Sequence, residues 1–539
     1  MRRPFMSIGF LLLTAFPVFA ASLLEISPPG KHFPLNAAAH RGAPSFQSGQ
    51  PIIGTTYFYW YDVYTGAHLR DPDGTDALTT HPPLESMADL SYKSPRWHYS
   101  QLQDVAQAGI DFILPVYWGV PGQYKEGQFA WSVVGLPPLV AAHDRMAQEH
   151  AQDPSRPAPP QIGLFYDTST LRWNSFDGPN KNRQIDLTTP EGREWFYVTI
   201  RDFFSLIPPA KWARIDGRPI IFLYAGEFAR KIDDKLFDDA RRRFQADFGT
   251  DFFLVRHSDW PGRADAWYQW GGALNLTIGD VVAGLGPGYD HSAVPNRTPL
   301  VVDRQGGRFY DQQWEKLLRM NPRRRPWIIH LETWNEWHEG TDIARSRNWG
   351  DQYIQATARY ARQFKQGIRL EPKGEFVNAS RVRWSGGAVA GLTLLPPAGD
   401  GCWEQVEVDG APAIVSTLCA GAAARYLYFD VDDAYMYDEM DRAAELTVVF
   451  REDDGCESFT IEYDNEDPTA GPVGGAFRAG PTFKVGQTGV WRTVTVQLPH
   501  VRFANRANRA DFRLAIHGGQ GRLTVREVMV RRLRGEIVK

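Results

Sequence analysis

The amino-acid sequence predicts a (β/α)8 TIM barrel of the α/β class followed by an all-β jelly-roll β-sandwich. From about residue 50 to about residue 370, short apolar runs of β-forming residues alternate with helix-patterned stretches, the pattern of βα units. Eight such runs fall within about 320 residues, a comfortable length for a barrel with inserted loops. After about Gly374 helical periodicity disappears, and alternating segments separated by Gly, Asp and Pro turns take over.

Met1-Arg2-Arg3, the apolar run from Ile8 to Phe19 and the small pair Ala20-Ala21 read as a signal peptide over residues 1–20. No later stretch of about 20 apolar residues follows, so the mature chain is expected to be secreted or periplasmic, without membrane insertion. Residues 21–50, rich in Pro, Gly, Ala and Ser, read as a surface leader segment. Barrel strands are predicted at 53–60, 110–118, 161–166, 219–224, 252–257, 266–270, 280–285 and 327–333 within a domain spanning 51–372. Helices are predicted at 99–108, 191–206, 233–248, 308–320 and 350–365. Arg323-Arg324-Arg325, before the last strand, reads as a solvated charge run. The β-sandwich is placed at 373–539, with strands at 425–431, 446–450, 459–463, 492–498, 512–516 and 523–530. Through Tyr428-Phe429-Asp430-Val431-Asp432 and Trp491-Arg492-Thr493-Val494 it resembles the accessory domains that follow bacterial glycoside hydrolases, which implies carbohydrate binding or bracing of the barrel.

Composition excludes some functions. The 59 Lys and Arg nearly balance 63 Asp and Glu, which argues against a nucleic-acid or membrane-surface partner. Of the three cysteines, Cys402 and Cys419 are the expected disulfide by proximity, and Cys456 is left over and buried. No spacing suits a metal or redox centre. Asp430, Asp432 and Asp433 could hold a structural calcium in the sandwich, and no other cofactor is expected. A monomer is expected.

The stretch with most chemistry is Trp334-Asn335-Glu336-Trp337-His338-Glu339-Gly340-Thr341, which follows the apolar run Pro326 to Leu331. In an extended strand, side chains three residues apart diverge; in a tight turn they become neighbours. A strand that turns sharply here would present Glu336 and Glu339 together. Paired carboxylates, one protonated and one ionised, are what glycosidic cleavage needs. The plain alternative is a solvated surface turn, which the large neighbours Trp334, Trp337 and His338 oppose.

This run resembles the Asn-Glu-Trp-x-Glu-Gly-Thr signature of glycoside hydrolase family 99, the endo-α-mannosidase-like enzymes. Ile53 to Tyr61, Ala108 to Phe112 and Ile215 to Ile221 match further pieces in order, so the resemblance spans roughly residues 50 to 370. It implies a (β/α)8 barrel and cleavage with retention through a 1,2-anhydro-sugar intermediate. By position, Glu336 would deprotonate the substrate's own 2-hydroxyl and Glu339 would serve as acid and then base. The chain departs from the mannosidases just downstream, reading Thr341-Asp342-Ile343-Ala344-Arg345 where they commonly continue Thr-Gln-Ile-Glu-Pro. Sugar, linkage and endo or exo action therefore stay open.

Barrel enzymes place chemistry at the C-terminal ends of their strands. Those ends supply the candidate substrate-binding residues Tyr59, Trp60, Tyr117, Trp118, Asp167, Tyr224 and His257, joined by Trp334, Asn335, Trp337 and His338. Aromatic faces and hydroxyl or carboxylate groups at five strand ends suit a polyhydroxylated ligand. The expected function is an exported glycoside hydrolase acting on a poly- or oligosaccharide. The alternative is a non-catalytic polysaccharide-binding protein built on the same barrel.

Overall fold

The computed structural model describes residues 23–172, 184–453 and 455–533; the expected signal peptide lies outside them. Strands β1 (Ile52–Tyr57) and β2 (Phe112–Tyr117) are buried at every position, as sheet strands covered on both faces must be. They are followed by β3 (Leu164–Tyr166), β4 (Arg218–Leu223), β5 (Phe253–His257), β6 (Ala266–Tyr268), β7 (Val282–Leu285) and β8 (Ile328–Leu331). Parallel ladders join them in the order β6-β5-β4-β3-β2-β1-β8-β7. Gly54 of β1 pairs with Phe112 on one side and His330 on the other. A Cβ on Gly54 would lie 2.2 Å from the Phe112 ring, so only glycine lets these strands approach here.

Helices α1 (Pro95–Gln107), α2 (Leu136–Gln152), α3 (Pro190–Leu206), α4 (Leu236–Phe248), α5 (Arg308–Arg319) and α6 (Gln352–Lys365) cover the sheet. Their starts follow local chemistry. Ser94 accepts from Trp97 N at 3.2 Å and Thr189 from Gly192 N at 3.1 Å, each just before a proline in the first turn. The leader lies along α3 and α4, where His32 N donates to Ser205 O and Leu35 N to Asp247 O, both at 2.9 Å.

The regular eightfold barrel is corrected in one sector. Among the described residues β6 and β7 share no ladder, and no helix separates β5 from β6 or β6 from β7. Residues 258–265 are too few for a helical crossover between parallel strands. The free edge of β7 is taken instead by the short antiparallel strand Thr277–Ile278, which leads back into it. Glu332, one residue past β8, closes the gap: its Oε2 accepts from Gly271 N at 2.8 Å and Gly272 N at 2.7 Å.

Beyond the barrel, two antiparallel sheets face each other across a second apolar core that includes Phe429, Phe459, Phe512 and Val528. One is built around Thr524–Arg532, the other around Phe512–His517. The alternating segments predicted from 425 onward are all strands, and the sheets also recruit Val382–Ser385, Leu392–Leu394, Cys402–Val408 and Ala411–Thr417. Cys402 and Cys419 form the disulfide, and Cys456 is free and buried.

The arginine run before β8 is not a solvated face. Only Arg323 is exposed. Arg324 pairs with Asp438 and Glu466 of the sandwich, both at 3.2 Å, and Arg325 donates to the carbonyls of Leu318, Met320 and Ile368. Asn321 N also donates to Asp438, at 2.7 Å, and Lys316 pairs with Asp433 at 3.2 Å. Arg324→Ala should therefore lower the unfolding free energy by about 1–3 kcal/mol, with Arg324→Lys recovering part of it. An unchanged urea midpoint would show that these contacts do not brace the two parts.

Candidate active site

The loop after β8 is closed on itself before it meets anything else. Thr333 N donates to Thr341 O at 3.0 Å, Glu336 N donates to Thr333 Oγ1 at 2.9 Å, and Thr341 N returns to Glu336 O at 3.2 Å. Asn335 ties the loop to the segment after β1: its Oδ1 accepts from Phe58 N at 2.8 Å and its Nδ2 donates to Phe58 O at 2.7 Å. Tyr61 OH donates to Asn335 O at 3.0 Å. On the far side Arg304 donates to Gly340 O, Asp342 O and Asp342 Oδ1 at 2.8–3.0 Å.

Glu336 is 3% exposed, and its Oε1 accepts from His338 N at 3.0 Å and from His338 Nδ1 at 2.8 Å. Burial raises its pKa; the proximity of Glu339 adds to this, and the His338 contacts offset part of it. His338 is also raised: burial is the largest single influence and lowers it, but attraction to Glu336, the hydrogen bond to Glu336, the backbone of His68 and the charge of Glu339 together outweigh it. Glu339 is less enclosed, its Oε1 lying 2.6 Å from Arg297 Nη1. Its carbonyl accepts from Asp290 N at 2.9 Å, which fixes it to the strand Tyr289–Asp290.

An aromatic wall stands beside the pair. The Trp60 ring lies 5.6 Å from His338, 5.7 Å from Trp118 and 6.0 Å from Trp131, and His68 stacks on it at 4.5 Å. Burial, helped by charge on His338, lowers the His68 pKa to about 4, so His68 is neutral here. Across the site Tyr224 packs on Trp270 at 5.3 Å. Burial raises its hydroxyl pKa, and Asp167, Glu339 and Glu332 push it further. Asp167 accepts from Trp118 Nε1 at 2.6 Å and from Ser169, and burial raises its pKa. His257 is held by Asp259 at 2.6 Å.

Five expected ligand contacts are corrected. Tyr59, Tyr117, Trp334, Asn335 and Trp337 are at most 1% exposed and already committed. Tyr59 OH donates to Ser132 O, Tyr117 packs on Phe203 of α3, Trp334 Nε1 donates to Gln101 of α1, and Trp337 packs on Tyr61. They carry the site and do not line it, because alternate side chains at a strand end point into the surrounding layer. Trp60, Trp118, Tyr224, His257 and His338 keep partial exposure. His68, Trp131, Tyr289 and Arg297 were not foreseen; they come from loops, from the five-residue helix Ala130–Val134 and from the two-residue strand Tyr289–Asp290, all too short or irregular to show a periodicity.

The three acids expected to hold calcium in the sandwich each have a protein partner. Asp432 accepts from Ala434 N, Asp433 pairs with Lys316, and Asp430 accepts from Asn505. The one cluster of metal-compatible spacing among the described residues is Asp441, Glu466 and His500. No helix among the described residues is long and apolar enough to cross a membrane.

Fold and site together define a class: a parallel-stranded barrel joined to a β-sandwich, with a carboxylate pair on the loop after the last barrel strand. The chain belongs to the family described as Domain of unknown function (DUF5010), whose model matches residues 45–374. No curated protein matches it. Among solved structures it is similar to the GH99 endo-alpha-mannosidase of Bacteroides thetaiotaomicron, at 16% identity and TM-score 0.40 over 59% of this chain and 98% of that one. It is similar to a glycoside hydrolase-like protein at 14% identity and TM-score 0.40, over 62% and 99% of the two chains. It is also similar to the CBM22-1 xylan-binding domain of Paenibacillus barcinonensis Xyn10C, at 11% identity and TM-score 0.20, over 31% and 99%.

Both raised groups act in the same sense on stability. A carboxyl whose folded pKa lies above its ordinary 4.5 binds its proton more tightly when folded, so its contribution is lost as pH rises. His338, raised above 6.5, likewise contributes most at low pH and loses its contribution as pH climbs through the folded value. Glu336→Gln should therefore lose less stability than the wild type between about pH 5 and about pH 8. Parallel urea midpoints for the two proteins across that range would contradict the assignment.

Proposed function

We propose that this chain is an exported glycoside hydrolase that cleaves O-glycosidic bonds of a poly- or oligosaccharide with retention, using Glu336 and Glu339 as its catalytic pair. The observation that carries the reading is the pairing itself: two carboxylates on one loop, near enough for Glu339 to raise the proton affinity of Glu336, beside the Trp60, Trp118 and His338 rings. The motif resemblance from Trp334 to Thr341 supports the same assignment.

Glu336 suits the base that deprotonates the substrate's 2-hydroxyl. Burial strengthens it as a proton acceptor, and both His338 donors hold Oε1, so Oε2 is the oxygen offered to the sugar. Glu339 then serves as acid to the leaving oxygen and as base to the incoming water. Arg297 competes with that oxygen for Glu339, so the role calls for the 289–302 segment to shift as substrate enters. Trp60, Trp118, Tyr224 and His257 supply stacking faces and polar contacts for the ring, and Asp167 holds the Trp118 ring in place. No cofactor enters this chemistry.

The Arg297–Glu339 ion pair also favours a second reading, in which the same barrel binds polysaccharide without cutting it. A screen of α-mannans, α-glucans and related glycans, with product anomers followed by NMR, separates the two. Glu336→Gln and Glu339→Gln should each lower kcat/KM by about 10²–10⁴-fold while glycan binding persists. Cleavage at wild-type rate in both variants would remove the catalytic assignment. Binding without cleavage by the wild type would establish the second reading.

A further inference from the structure

The sandwich carries a cleft of about 780 Å³ at one end, far larger than a single water pocket and within the range of ligand sites. It opens where the turn-side end of Cys402–Val408 meets the loops that follow Ala444–Arg451 and precede Trp491–Leu498 and Thr524–Arg532. Its walls divide into committed and uncommitted groups. Glu452 is neutralised by Arg492 at 3.0 Å and held by Thr488, and Asp453 is paired with Arg451 at 3.0 Å. The side chains of Glu407, Gln487, Gln520 and Arg522 line the same cleft and make no hydrogen bond or ion pair with the described residues.

What remains free is one carboxylate, one guanidinium and two amides above an apolar floor that includes Val415. The free charges cancel, which disfavours an ion as the ligand. The cleft presents no aromatic wall, which disfavours any ligand held by ring stacking and leaves recognition to paired hydrogen bonds. Planar amide, carboxylate and guanidinium groups each make paired hydrogen bonds, and vicinal hydroxyls on a largely apolar ring present matching pairs. We propose that this cleft is a second binding site, for a segment of neutral oligosaccharide, separate from the barrel site. Only the expectation that it holds the same glycan as the barrel rests on the proposed function; the site itself stands on the cleft.

The test uses the full chain carrying Glu336→Gln, so that no glycan is consumed, in affinity electrophoresis through gels containing neutral soluble mannans, glucans or xylans. Retardation in at least one gel is expected. The added pair Gln487→Ala and Arg522→Ala should weaken it at least tenfold with an unchanged thermal midpoint. The same pair placed on the wild-type background should leave turnover of a short soluble substrate unaltered. Retardation by no neutral glycan, or retardation indifferent to the cleft pair, overturns the proposal. If the wild type cuts nothing yet the cleft pair still abolishes retardation, the barrel reading fails and the cleft proposal stands.

Discussion

The buried amide of Asn335 is the contact on which the arrangement depends. A barrel strand ends by handing its chain to solvent, and a loop carrying two carboxylates would drift there. Asn335 prevents this by satisfying both the N–H and the C=O of Phe58, so the loop after β8 is hydrogen-bonded to the segment after β1 as if it were a further rung of the sheet. Because β1 and β8 are already neighbours in the barrel, that clamp transmits the rigidity of the sheet to the next residue, Glu336. Trp334 and Trp337 support the turn by filling the layers on either side, against α1 and Tyr61.

Rigidity alone would leave Glu336 a costly buried charge. His338 resolves that within the same loop, reaching back two residues with both its backbone N–H and its ring. The imidazole and carboxyl each bind a proton more tightly than usual, so the pair holds on to protons while His338 stays against the partly exposed ring of Trp60. His68, stacked on Trp60 and neutral, adds polarity to that wall without adding a second positive charge.

How far the sequence was legible follows from the physics of each part. Parallel strands buried on both faces write themselves as continuous apolar runs, so all eight were located to within a few residues, as were five of the helices. The same rule misled at the strand ends. Tyr59, Tyr117 and Trp334 look like a sugar platform in a list of residues, yet period-two alternation turns them into the layer between sheet and helices. Asn335 is invisible to such reasoning, since a clamp and a ligand contact require the same polar side chain. The arginine run before β8 read as solvated because its partners, Asp438 and Glu466, lie more than a hundred residues away.

The departure at Asp342 gains a meaning from this. Asp342 is fully buried, paired with Arg304 at 2.8 Å and bonded to Thr80. It holds the back of the carboxylate loop, so a change at that position alters the scaffold and not the lining of the site. The variable chemistry sits elsewhere. The sector that fails to close, where an antiparallel return replaces the β6–β7 ladder, leads directly into the 289–302 segment with Tyr289 and Arg297. The regular side of the barrel thus supplies Glu336 and its aromatic wall, and the irregular side supplies Tyr289, Asp290 and Arg297 beside Glu339. Specificity on such a frame would be set where the eightfold pattern breaks, because only there is the chain free of the register that the ladders impose.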